Sequence, residues 1–155
     1  MKKSIVLTFI FILVLSAFSF AQNRGDDSYR TAIGAKFFPG AISFKQRISG
    51  NNYFEGLAYS WRGTRFTGLY ELHYDIGGLD GLKWYVGPGA HISFYSEKNY
   101  GGASYIGLDG VLGLDYKIGK APLNLSIDWQ PSFDFRSYDA FNGGFGGLSV
   151  RYIIR

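Results

Sequence analysis

The sequence has no cysteine, one methionine and four prolines in 155 residues. Without cysteine there is no disulfide framework, so stability has to come from the fold alone. The same absence removes the acylated cysteine of a lipoprotein. Beyond residue 21 no apolar run is long enough to cross a bilayer as a helix. Nor does any segment there carry apolar residues at helical spacing. Charge is sparse too: 18% of the residues are charged, with a formal net of +4. The excess lies in glycine, with 22, and in aromatics, with 14 Phe, 12 Tyr and three Trp. That combination suits strands and tight turns and is the opposite of a disordered composition.

The first residues form a separate object. Met1-Lys2-Lys3 is a basic start, and Ile5 to Leu15 is an apolar run broken only by Thr8. Ser19-Phe20-Ala21 places small residues at the −3 and −1 positions of a cleavage site. We read residues 1–21 as a secretory signal peptide cut after Ala21, the apolar run being short for a membrane anchor. Residues 22–155 then form one domain. Losing Lys2 and Lys3 lowers the net charge to about +2, which gives no reason to expect a nucleic-acid partner.

The stretch PLNLSIDWQPSFDF, residues 122–135, carries the pattern of the whole domain. Leu123, Leu125, Ile127, Trp129, Pro131, Phe133 and Phe135 alternate with Asn124, Ser126, Asp128, Gln130, Ser132 and Asp134. A strand sends alternate side chains to opposite faces, so this one has an apolar and a polar face. Eight such segments follow one another, roughly 29–37, 41–48, 53–62, 64–75, 82–96, 104–118, 122–135 and 144–154. Clusters of Gly, Asn, Asp and Pro separate them. The expected fold is all-β, an eight-stranded antiparallel up-and-down barrel.

Which face looks inward decides the class. The polar set holds Arg30, Lys36, Lys45, Arg47, Arg62, Arg65, Lys83, Lys117 and Arg151, with Glu71, Asp75, Asp109, Asp115, Asp128 and Asp134, and with His73 and His91. The apolar set has aromatics sorted by height. With both termini at one end, Tyr29, Tyr53, Tyr74, Trp84, Tyr116 and Tyr152 share that end. Phe37, Trp61, Phe66, Phe94 and Phe133 form a looser ring at the other. Two aromatic girdles around an aliphatic band match a bilayer-spanning barrel, with oil outside and charge in the lumen. A soluble lipocalin-like barrel, with the faces inverted, is the alternative, but it has no reason to sort Tyr and Trp by height. Gln46 and Glu55 fall on the apolar side near one end, where an interface would wet them. Pro88 and Pro131 lie inside strands and are expected at bulges or strand ends.

The runs WYVGPGAHISF, IGLDGVLGLDYKIGKAPLNLSIDWQPSFDF and GGLSVRYIIR resemble the small outer-membrane β-barrel family with an OmpA/OmpX-like transmembrane fold. The likeness covers about residues 22–155. It implies a cell outer membrane location, with outer-membrane lipid and the barrel-assembly machinery as partners. It implies no particular activity. Family members commonly end in an aromatic residue that the assembly machinery reads, whereas this chain ends Tyr152-Ile153-Ile154-Arg155. With nothing after Arg155, the cell-wall anchoring of longer OmpA-like proteins is expected to be absent.

Motifs for chemistry are few. His91-Ile92-Ser93 puts a base and a hydroxyl on one strand face, faintly like the His-x-Ser of outer-membrane lipid A deacylases. Both fall on the lumen side and no acid completes the set, so we expect no catalytic residues. Glu71, His73 and Asp75 alternate on one face, but positions two apart on a strand lie ~7 Å apart, long for ligands of one ion. A salt-bridge network is expected there, with no metal and no cofactor. Gly87-Pro88-Gly89 and Gly143 to Gly147 open no helix and are not phosphate cradles. An eight-stranded interior is just wide enough for side chains to fill it, so nine basic and six acidic groups should pair and close the lumen. The expected role is therefore structural or interactive, with a narrow porin-like channel for small solutes as the alternative. Outer loops 97–102 and 137–143, with Tyr100, Tyr138 and Phe141, offer a small patch for a surface partner.

Overall fold

The computed structural model describes residues 29–60, 63–95, 104–135 and 140–154. Eight strands run through them: β1 Thr31–Phe37, β2 Ala41–Ser49, β3 Asn52–Tyr59, β4 Thr64–Asp75, β5 Leu82–Phe94, β6 Ser104–Lys117, β7 Leu123–Asp134 and β8 Phe141–Ile154. Each pairs antiparallel with the next in sequence, and β1 closes on β8, with Thr31 opposite Ile154 and Phe37 opposite Leu148. The result is a closed barrel with no free edge along the β1–β8 seam. We call the end holding Thr31 and Ile154 the near end, and the end holding the β1–β2 turn the far end.

The period-two pattern becomes an inside and an outside. Among the described residues, buried polar and charged side chains outnumber buried apolar ones two to one, while 26 large hydrophobic side chains are exposed. Leu112, midway along β6, is 50% exposed; Lys36, Lys45, Glu71 and Arg151 are sealed inside. Two small apolar clusters also sit in the interior. Tyr29, Ala32, Tyr53 and Ile153 close the near end. Ala41, Leu57, Tyr59, Leu69, Tyr85 and Val111 run from the middle toward the far end, with Phe145 against them.

Strand β3 reverses the sequence expectation. Tyr53, Glu55, Leu57 and Tyr59 point inward, and Phe54, Gly56 and Ala58 point outward. Tyr29, just ahead of β1, is also buried. Tyr29 and Tyr53 are therefore not girdle residues, and Glu55 is not a wetted interface residue. The physical reason is the Glu55 carboxylate, which has a buried guanidinium to meet inside and nothing outside. Phe54 then covers the gap on the outer surface, its ring lying where a Cβ at Gly68 would meet it at 3.3 Å.

The two in-strand prolines behave differently. At Pro131 the β7–β8 register shifts between Gln130 and Ser132, a bulge as expected. At Pro88 the β4–β5 ladder opens between Leu69–Gly89 and Leu72–Val86 and resumes in the same register, without a bulge. Gly87 makes that possible, because its Hα side rests against the Tyr70 carbonyl of β4, where a Cβ would collide. Gly87→Ala should therefore cost about 1–3 kcal/mol, read as a lowered urea midpoint. Strand β8 begins three residues before the expected 144, because the glycines at 143 and 144 lie in a bulged strand, where the pairing with β7 shifts between Phe145 and Asn142, and not in a turn. Further along, the φ values of Gly146 and Gly147, 135° and 137°, bring the backbone against Asp128 and Phe37 without a side chain in the way.

Candidate functional site

The polar interior is a stack of linked layers. At the near end Tyr29 donates to Asp115 Oδ1 at 3.0 Å, and Tyr53 donates to the Tyr29 carbonyl at 3.1 Å. The rings of Tyr29, Tyr53, His73 and Tyr85 follow one another at centroid spacings of 5.1, 4.4 and 4.8 Å, the last pair nearly parallel. Alternation on β3, β4 and β5 aims three of them at the axis.

Arg151 of β8 is the hub of the middle layer. It donates through Nε to Ser43 at 2.6 Å and through Nη1 to Asn124 at 3.1 Å and Ser126 at 2.7 Å, and it pairs through Nη2 with Glu55. Lys45 lies 2.8 Å from Glu71, 3.6 Å from Asp115 and 4.5 Å from the centre of the Tyr85 ring. Glu71 also meets His73 Nε2 at 2.8 Å. One layer further, Lys36 pairs with Asp128 at 2.6 Å, and Tyr85 donates to the same carboxylate at 2.8 Å. Gln130 links onward, taking a bond from Tyr59 at 2.9 Å and donating to Asp109 at 3.2 Å. At the far end Arg65 pairs with Asp109, and His91 lies between Asp109 at 2.7 Å and Asp134 at 2.6 Å. Lys36, Lys45, Arg65 and Arg151 thus each have a carboxylate partner. Burying an ion is costly unless it is paired, and all four are, although Lys45 Nζ makes only ion-pair and ring contacts and no aligned hydrogen bond.

Not every residue of the expected lumen set enters this stack. Asp75 and Lys83 pair at 3.3 Å at the near-end rim, with Asp75 71% exposed. Arg47 bonds the Gly50 carbonyl in the β2–β3 turn, Arg30 is exposed and Lys117 is half-buried. These five lie at the near-end rim, four of them among the terminal paired residues of their strands and Arg30 just ahead of β1, outside the sealed stack. Arg62 and Trp61 lie outside the described residues, as do residues 1–21, all of loop 97–102 and part of loop 137–143. Of the girdle residues, Tyr74, Trp84, Tyr116 and Tyr152 are exposed near one end, with Tyr74 stacked on Trp84 at 4.6 Å. Phe37, Phe66, Phe94 and Phe133 are exposed toward the other. Because Tyr29 and Tyr53 turn inward, the near-end ring spans only β4, β5, β6 and β8.

The two chemical motifs resolve into contacts. Both ring nitrogens of His91 are taken by carboxylates, which leaves neither to accept a proton from Ser93. Glu71 and His73 meet each other while Asp75 leaves for the rim, so the three do not converge. Asn124 and Gln130 lie inside, as the polar face of residues 122–135 requires. The interior also holds Tyr85 and Ser43, which the sequence reading did not single out, and Tyr59, which shares the parity of Tyr53 and Glu55 and turns inward with them. Tyr85 shares parity with Lys83 and His91, which was the available signal.

No family model matches the chain, and no curated protein or solved structure matches it either.

Proposed function

We propose that the chain is an integral outer-membrane β-barrel protein of the OmpA/OmpX-like kind, with a structural or interactive role and a lumen plugged by its own ion pairs. One observation carries this reading: the polarity of the barrel is inverted. Isoleucine, leucine, valine and aromatic side chains cover the outside of the strands while the charges are inside. Water-soluble monomers rarely expose contiguous apolar surface beyond a few hundred Å², whereas a lipid-facing barrel requires such a belt. Outer-membrane lipid would be the main partner and the barrel-assembly machinery the route in. The far-end loops would meet any surface partner.

The test is fractionation with a heat-shift gel. The full chain should collect in outer membranes and run compact in SDS unless boiled. A soluble periplasmic protein without a shift would sink the proposal and favour the inverted, lipocalin-like arrangement. The closed lumen makes a separate prediction. In planar bilayers the barrel should give little conductance, because every ion would have to displace Arg151–Glu55, Lys45–Glu71 and Lys36–Asp128 in turn. Steady large steps would favour the narrow porin-like channel instead.

A further inference from the structure

The far mouth of the barrel holds a cavity of about 410 Å³, within the ~300–1,000 Å³ range of small-molecule sites. Tyr59, Arg65 and Phe145 line it, and Ser93, Tyr95 and Asn142 are among the other residues around it. Three of these side chains are locked by their neighbours. Tyr59 donates to Gln130 at 2.9 Å and meets Phe145 edge-on at 5.4 Å. The Arg65 guanidinium lies 4.0 Å over the Phe145 ring and is held by Thr67 through Nε and by Asp109 through Nη2. Such a site is preorganised, so a ligand would not have to order it.

The chemistry of the lining selects the ligand. Among the described residues, Arg65 Nη1 and the Ser93 hydroxyl have no hydrogen-bond partner, and the Asn142 amide nitrogen has none either. An apolar ligand would strand these groups. An anion gains little, since Asp109 already matches the charge of Arg65 and Asp134 lies close behind on His91. A cation meets Arg65. What remains is a neutral ring with hydroxyls at its edge and C–H faces to lay against the apolar lining, which includes Phe38 and Tyr95, since the Phe145 face is already covered by Arg65. We infer that this cup binds a neutral sugar, one or two pyranose rings in size. The inference does not depend on which solvent surrounds the barrel.

The test is saturation-transfer NMR on the intact folded protein in a sugar-free zwitterionic detergent, with its aromatic protons irradiated. Transfer to the ring protons of free maltose is expected. Ser93→Phe, which fills the cup, should abolish it while the β-sheet circular dichroism and the urea midpoint stay. If that variant does not fold, Asn142→Ala on the exposed rim should weaken binding roughly 3–10-fold, the loss of one hydrogen bond. Transfer to the headgroup of dodecyl maltoside but not to free maltose would uphold the sugar site, and assign it to a membrane-borne sugar, only to the extent that Ser93→Phe removes it, because detergent on the outer aromatic belt receives saturation in either case. No transfer to either sugar overturns the inference. So does transfer that survives unchanged in the folded Ser93→Phe variant, or transfer to glucuronate alone or cyclohexanol alone.

Discussion

Arg151→Met is expected to destabilise the barrel by about 3–5 kcal/mol, the cost of leaving a buried charge without its partner. Arg151 holds four side chains from three other strands, Ser43 of β2, Glu55 of β3, and Asn124 and Ser126 of β7. Removing it leaves the Glu55 carboxylate in a sealed interior with the Ser43 hydroxyl and, as counter-charge, Lys45 4.0 Å away. The double variant Arg151→Met/Glu55→Leu should recover much of the loss, because no ion is then stranded. Urea unfolding of the refolded protein measures both. A double variant no more stable than Arg151→Met would mean that the hydroxyls and amide around the guanidinium, not the ion pair, carry its contribution.

Leu112→Arg tests the outer surface. Leu112 sits opposite Val86 on one side and Trp129 on the other, all three exposed and midway along their strands. If lipid surrounds the belt at this height, an arginine there costs about 2–4 kcal/mol or blocks assembly. On a water-facing surface the same change stays within about 0.5 kcal/mol. Lys120→Ala, in the exposed β6–β7 turn, serves as the neutral control. A normally assembled, fully stable Leu112→Arg barrel would reject the lipid-facing assignment.

Strand number, order and face were legible because alternation is a local signal and the turns are chemically marked. For β2, β4, β5, β6 and β7 the charged residues all keep to one face, with Gln46 of β2 a polar intruder on the other, and the structure keeps these faces. Strand β3 defeated the rule because both of its faces carry information. Its odd set, Tyr53 to Tyr59, is oily enough to look lipid-facing, yet it contains Glu55. A buried partner on β8, 96 residues away, decides the orientation, and no local window contains it. Tyr29 and Tyr53 follow for the same reason, since amphipathic rings suit a girdle or a polar interior equally well. The bulge in β8 was hidden by glycines that read as a turn. Which cations meet which carboxylates was not legible either, because pairing depends on strand stagger around the closed barrel.

The position of Arg151 also bears on how the barrel forms. The hub of the interior belongs to the last strand, and its partners lie on β2, β3 and β7. While β8 is undocked, Glu55 has lost its nearest counter-charge and the β1 edge is unpaired. A chain halted there gains little from the seven strands already in place. Closure is therefore expected late, with the longest sequence separation settled by the same residue that completes the electrostatics. On that expectation the final hairpin would act as a completion check, separating finished barrels from open sheets.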